Sequence, residues 1–243
     1  MFAKSLQQNF LAIGADVRIV ADADRFEIDV KAENRQEVFD LRLPRDGSIT
    51  AKVLDIDRKR RHLLLDVTHR GSEQYQRYLC GHDEFHWFAA ALPQRREATT
   101  VFDAMESLKP QAVRSEQNRK RVKRSRRKNR RTKAYVRQGE WFFLPRPQLT
   151  VNAQLVQHNG VLVRGAGKPH RVECLYRPQG GAATYVRGKV SHPDHTTIYL
   201  DAWHEVQQNT EAAPNPVVLE NRSTSRAWAR TQSSQLFDMK YVD

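Results

Sequence analysis

Cysteine is nearly absent from this chain, and long apolar runs are missing altogether. Cys80 and Cys174 are the two cysteines in 243 residues, too few for the disulfide framework of a small secreted scaffold. No apolar stretch approaches the roughly 20 residues that a membrane-spanning helix needs. The amino terminus, MFAKSLQQNFLAIGADV, carries Lys4, but Gln7, Gln8 and Asn9 interrupt its apolar residues. No signal peptide is expected, so a cytoplasmic location is the default, with the nucleus open if the source has one. GxSxG is absent, and Arg164, Gly165, Gly167 and Lys168 fail as a phosphate loop because the GxxxxGK[ST] spacing is missing and Pro169 follows the lysine. Cys174 sits inside an apolar run and is expected in a core. The mean hydropathy of -0.73 is polar for a globular chain, yet four Trp, seven Tyr and ten Phe provide for a core.

What is present is a concentration of positive charge. Twelve of the twenty residues from Arg114 to Lys133 are Lys or Arg and only Glu116 is acidic, so the segment holds +11 of the formal +13. Twelve like charges so close together repel and cannot be buried; they call for solvent, salt or a polyanion. Nucleic acid is the commonest dense polyanion in a cell, and releasing its condensed counterions gives strong, salt-sensitive affinity. The phosphate contacts are expected from Arg119, Lys120, Arg121, Lys123, Arg124, Arg126, Arg127, Lys128, Arg130, Arg131 and Lys133. A solvated linker or a localisation address has the same composition.

Five short β-rich runs precede this segment, at residues 17–20, 26–30, 38–43, 49–56 and 62–67. Phe26, Ile28 and Val30 alternate with Glu27 and Asp29, the period of a strand with one wet face. An antiparallel meander is the simplest arrangement. Residues 72–92 lose the alternation and read as a short helix, a break at Gly81 and an apolar element. Residues 99–108 have helical spacing, with Thr99 or Thr100 as cap and Pro110 beyond the end. Strand character resumes from 135 to 206. Asn159-Gly160 marks a hairpin turn, Gly180-Gly181 another. The fold class expected is therefore α+β, with two antiparallel β-rich halves: a domain over 1–110 with a helical end, a basic connector over 111–134 that is mobile or helical when bound, a sheet or small barrel over 135–208, and a loosely ordered tail over 209–243.

Two constellations carry chemistry. In CGHDEFHW, His82 and His86 would share one face of a helix and offer a metal two imidazoles, with Glu84 or Asp83 as a catalytic base; the order HDEFH departs from HExxH. In SHPDHTT, His192 and His195 flank a Pro-Asp turn with Asp194, and a joint site of His82, His86, His192 and His195 would suit zinc. Tyr185, Arg187 and Lys189 alternate along TYVRGKV, an arrangement of rings and cations suited to single-stranded nucleic acid. Trp141, Phe142 and Phe143 are expected in a core. The leading function is nucleic-acid binding with RNA favoured over DNA, because an arginine-rich segment between folded parts adapts to irregular RNA. The alternatives are a metal-dependent, nuclease-like hydrolase and a structural or assembly protein whose basic arm neutralises RNA.

Overall fold

The computed structural model describes residues 2–212, apart from 35, 72, 95–96, 165–167 and 182. Gly165, Gly167 and the tail from 213, including Trp228, lie outside the described residues. Strand accounts for 50% and helix for 17%, so the helices act as covers on three antiparallel-rich sheets. None of the described helices is long and apolar enough to cross a membrane.

Helix α1 (Phe2–Leu11) leads into the first sheet, which comprises β1 (Asp16–Ala23), β2 (Glu27–Glu33) and β3 (Gln36–Pro44) in the order β1-β3-β2. The expected meander holds for β2 and β3 but not for β1, which pairs with β3 in parallel, Val17 opposite Phe39 and Ile19 opposite Leu41. Phe39 and Leu41 are fully buried, which makes β3 the apolar centre and leaves its far edge for β1.

The second sheet, β4 (Ile49–Asp57), β5 (His62–His69), β6 (Tyr75–Asp83) and β7 (His86–Ala91), is an antiparallel meander. One face, with Leu63, Leu65 and Val67, packs on Phe39 and Leu41 and on Leu6 and Phe10 of α1. The other face, with Leu64, Leu79 and Ala90, packs on α2 (Val101–Ser107) through Val101 and Ala104. A strand covered on both faces has no polar alternation to read, and that is why residues 72–92 look helical in sequence but form β6 and β7. Helix α2 starts as expected: the Thr100 hydroxyl accepts the Asp103 N–H at 3.1 Å, and the Asp55 carboxylate takes the Val101 N–H at 2.8 Å.

The third sheet contains β8 (Val136–Gln138), β9 (Trp141–Pro145), β10 (Val156–Leu162), β11 (His170–Tyr176), β12 (Tyr185–His192) and β13 (His195–Gln208), in the order β10-β11-β12-β13-β9-β8. Asn159 and Gly160 do not turn. They lie inside β10, which pairs with β11 on both sides of them, His158 opposite Cys174 and Gly160 opposite Val172. A Cβ on Gly160 would stand 2.7 Å from the Leu175 Cβ, so the glycine serves a close approach between strands. Gly180 does sit in the turn before β12, at φ +69°. Trp141, Phe142 and Phe143 are all buried, as expected.

The second and third sheets meet. Residues 209–212 bridge them, with the Asn209 N–H donating to the Glu140 carbonyl between β8 and β9 at 2.8 Å and the Ala212 N–H to the Ala91 carbonyl of β7 at 3.0 Å.

Candidate functional site

The basic segment has defined structure. Helix α3 (Gln111–Arg119) follows Pro110, which cannot extend a helix backward, and ends where Arg121 adopts φ +49°. Glu116 faces Arg119 and Lys120 one turn later, at 2.5 and 3.3 Å. Two apolar residues among the charges, Val113 and Val122, are buried with Ala134, Tyr135, Phe142 and Leu144. They pin the segment to β9. A 3-10 turn at Arg124–Arg126 and a bridge from Arg131 to Val136 complete its path.

Burial of the two valines sorts the cations. Arg124 lies 3.8 Å from the Phe102 ring centre and 3.9 Å from Asp103. Arg127 faces Glu106 at 3.7 Å, Lys128 faces Asp57 at 3.2 Å, and Arg130 bonds both Asp83 and Glu84. Arg121, Lys123, Arg126, Arg131 and Lys133 are exposed, with no acidic partner among the described residues. Of the expected phosphate contacts, these five are therefore free to meet one.

On β12, Arg187 and Lys189 are exposed and Tyr185 is half-buried, 6.1 Å from Tyr176. The Arg187 guanidinium lies 5.1 Å from the Trp203 ring, and Lys189 stands in register with Tyr199, which is 67% exposed. Tyr185 packs against the cluster of Cys174, Tyr176 and Trp203, so the exposed members of the expected set are Arg187 and Lys189; nothing in the spacing points to Tyr199, across the strand pair.

The two histidine constellations lie at the tips of hairpins that touch. His82 and His86 are not one helical turn apart: they end β6 and begin β7, with Glu84 at φ +57° in the turn between them. His82 packs edge-on against Trp87 at 4.9 Å. Burial and the neighbouring Arg61 keep its imidazole below its usual range. His86 bonds Glu37 through Nδ1 at 2.6 Å and faces Asp194 through Nε2 at 3.9 Å. Glu84 accepts the Thr196 N–H at 2.7 Å and stands 3.4 Å from His195 Nδ1. Burial raises the proton affinity of Asp83, but Arg137 and Arg130 reverse this, and its carboxyl lies below the ordinary range. Asp83 and Glu84 are thus tethers for the basic segment through Arg130, and the lowered carboxyl makes Asp83 a weak proton acceptor.

The tightest imidazole group differs from the expected set. His192 and His195 gather around His170, which opens β11, with ring centres 4.2 Å apart for His170–His192 and 5.7 Å for His170–His195. His82 and His86 do not join them. No spacing in the sequence identifies His170, because its partners come from β12 and β13, brought beside it by strand pairing. Between the second and third sheets a cavity of about 440 Å³ is lined by Lys109, Arg127, Lys128, Arg130, Arg137 and His195 among others. Lys109 is buried; desolvation lowers its pKa, while Glu106 holds its charge. Compared with known proteins, the chain matches no family model, no curated protein and no solved structure.

Proposed function

We propose that this chain binds nucleic acid, with single-stranded RNA the first candidate, through the face of the basic segment that carries Arg121, Lys123, Arg126, Arg131 and Lys133. The observation that carries the reading is the absence of acidic partners for these five among the described residues, while most neighbouring cations are paired. Paired cations gain little from a phosphate; unpaired, exposed ones release the phosphate's counterions. The exposed Tyr199 beside Lys189 offers a base a ring to stack on and its phosphate a charge, which favours a single strand over a duplex. The ties of Asp83 and Glu84 to Arg130 count against a hydrolase that uses either as base.

Binding of fluorescent single-stranded RNA, structured RNA and duplex DNA to the intact chain tests the reading. Tight binding with single strands preferred is expected. Lys189→Ala with Tyr199→Ala should weaken single-strand binding by about 1–3 kcal/mol, the size of one base stack, and leave duplex binding nearly unchanged. Equal losses on both substrates would show that the sheet face does not favour single strands, no loss on either would remove it from the interface, and no binding to any of the three would overturn the reading.

A further inference from the structure

Independently of nucleic acid, we infer that His170, His192 and His195 form a binding site for a divalent transition-metal ion, zinc foremost, with one coordination position left open. One nitrogen from each ring lies within 4.8 Å of the others. In a tetrahedral zinc site with Zn–N of about 2.0–2.1 Å, nitrogens sit roughly 3.4 Å apart, so closure takes a small movement of side chains. The rings stand within 25–31° of parallel, whereas ligation aims each ring plane at the ion. His192 and His195, half-buried at a hairpin end, are the rings that tilt; His170 is 1% exposed and stays.

Two features point to an ion and not to a packed imidazole stack alone. Both nitrogens of His170 are buried without a hydrogen-bond partner. Such groups each cost about 1–3 kcal/mol, and a metal takes the lone pair that no protein donor satisfies. His192 already has the outer contact that fixes a ligating tautomer, and His195 has an acid beside it. His192 Nε2 faces the Lys168 carbonyl at 3.2 Å, so it holds the proton and Nδ1 keeps a lone pair, now occupied by the Asp194 N–H at 3.1 Å. The Glu84 carboxylate stands 3.4 Å from His195 Nδ1, which is buried and makes no hydrogen bond; a small rotation of the ring would let Nδ1–H donate to this acid and leave Nε2 to the ion. Neutral imidazoles suit zinc, copper and nickel.

Chelator-treated full-length protein titrated with Co²⁺ and with Zn²⁺ tests the site. One equivalent is expected to bind, with Co²⁺ giving visible d–d absorption and quenching Trp141, whose ring lies 6.3 Å from His170. His192→Ala and His195→Ala should each weaken uptake at least about 100-fold, since loss of even an outer-shell partner costs about 10–100-fold. His82→Ala should leave uptake unchanged. The His192 variant removes a half-buried side chain and keeps the fold testable, checked by circular dichroism. No uptake by the intact protein, uptake unaffected in both variants, or uptake lost in His82→Ala would overturn the assignment.

Discussion

Phe39→Ala is expected to lower the free energy of unfolding by about 3–5 kcal/mol, the range for deleting a large buried aromatic side chain. Phe39 is fully buried at the centre of the first sheet. Its ring lies 4.9 Å from Phe10 of α1 and 5.6 Å edge-on from Trp87 of the second sheet. Three elements converge on one side chain, so the cavity left behind has rigid walls that cannot all collapse together. Urea denaturation should show a lower midpoint with an unchanged slope. A loss below about 1 kcal/mol would mean that the first sheet does not pack against the second through Phe39.

Asp83→Asn is expected to cost about 2–4 kcal/mol at pH 7, because it leaves Arg130 and Arg137 around a neutral amide in a half-buried site. The pH dependence has a definite sign. The folded-state pKa of Asp83 is lowered, so its contribution is complete above the unfolded value of about 3.9 and disappears as pH falls through that value and below the folded one. The wild-type advantage over Asp83→Asn, measured by urea unfolding, should therefore be full at pH 7 and shrink below about pH 4. An advantage that grows in acid would contradict the arginine clamp. The variant also releases Arg130 from one of its acids, so affinity for a polyanion should not fall with stability.

Where a strand had one wet face, the sequence could be read. The alternation of Phe26, Ile28 and Val30 corresponds to β2, and the Thr100 cap marks the start of α2. Two-sided burial hid β6 and β7, because Leu79 and Ala90 face α2 while Tyr78, Cys80 and Ala91 face the first sheet, and no polar alternation survives. Asn159-Gly160 misled for another reason: the glycine is required by Leu175 of the neighbouring strand, a constraint from outside its own segment. Parallel pairing of β1 with β3 likewise depends on which edge stays free.

The candidate sites divide in the same way. Charge density showed where the cations are, but not which acids neutralise them, since Asp57, Asp83, Glu84 and Glu106 come from distant positions. Val113 and Val122 were the local sign that the segment would be anchored. His192 and His195 were visible as a pair around a turn. His170, 22 residues before His192 in the chain, became their partner through strand register alone.

The salt dependence of single-stranded RNA binding, for the intact chain and for a variant with Arg121, Lys123, Arg126, Arg131 and Lys133 changed to glutamine, bears on the proposed role without intermediaries. If each of the five neutralises one phosphate, the slope of log affinity against log salt should flatten by about 3.5 in the variant, at about 0.7 per contact on a single strand. Affinity near physiological salt should then drop by roughly a thousandfold, with the unfolding midpoint unchanged because all five side chains are exposed. Equal slopes and equal affinities for the two proteins would contradict the reading: the five cations would then be a solvated surface, and whatever polyanion the chain meets would be held elsewhere.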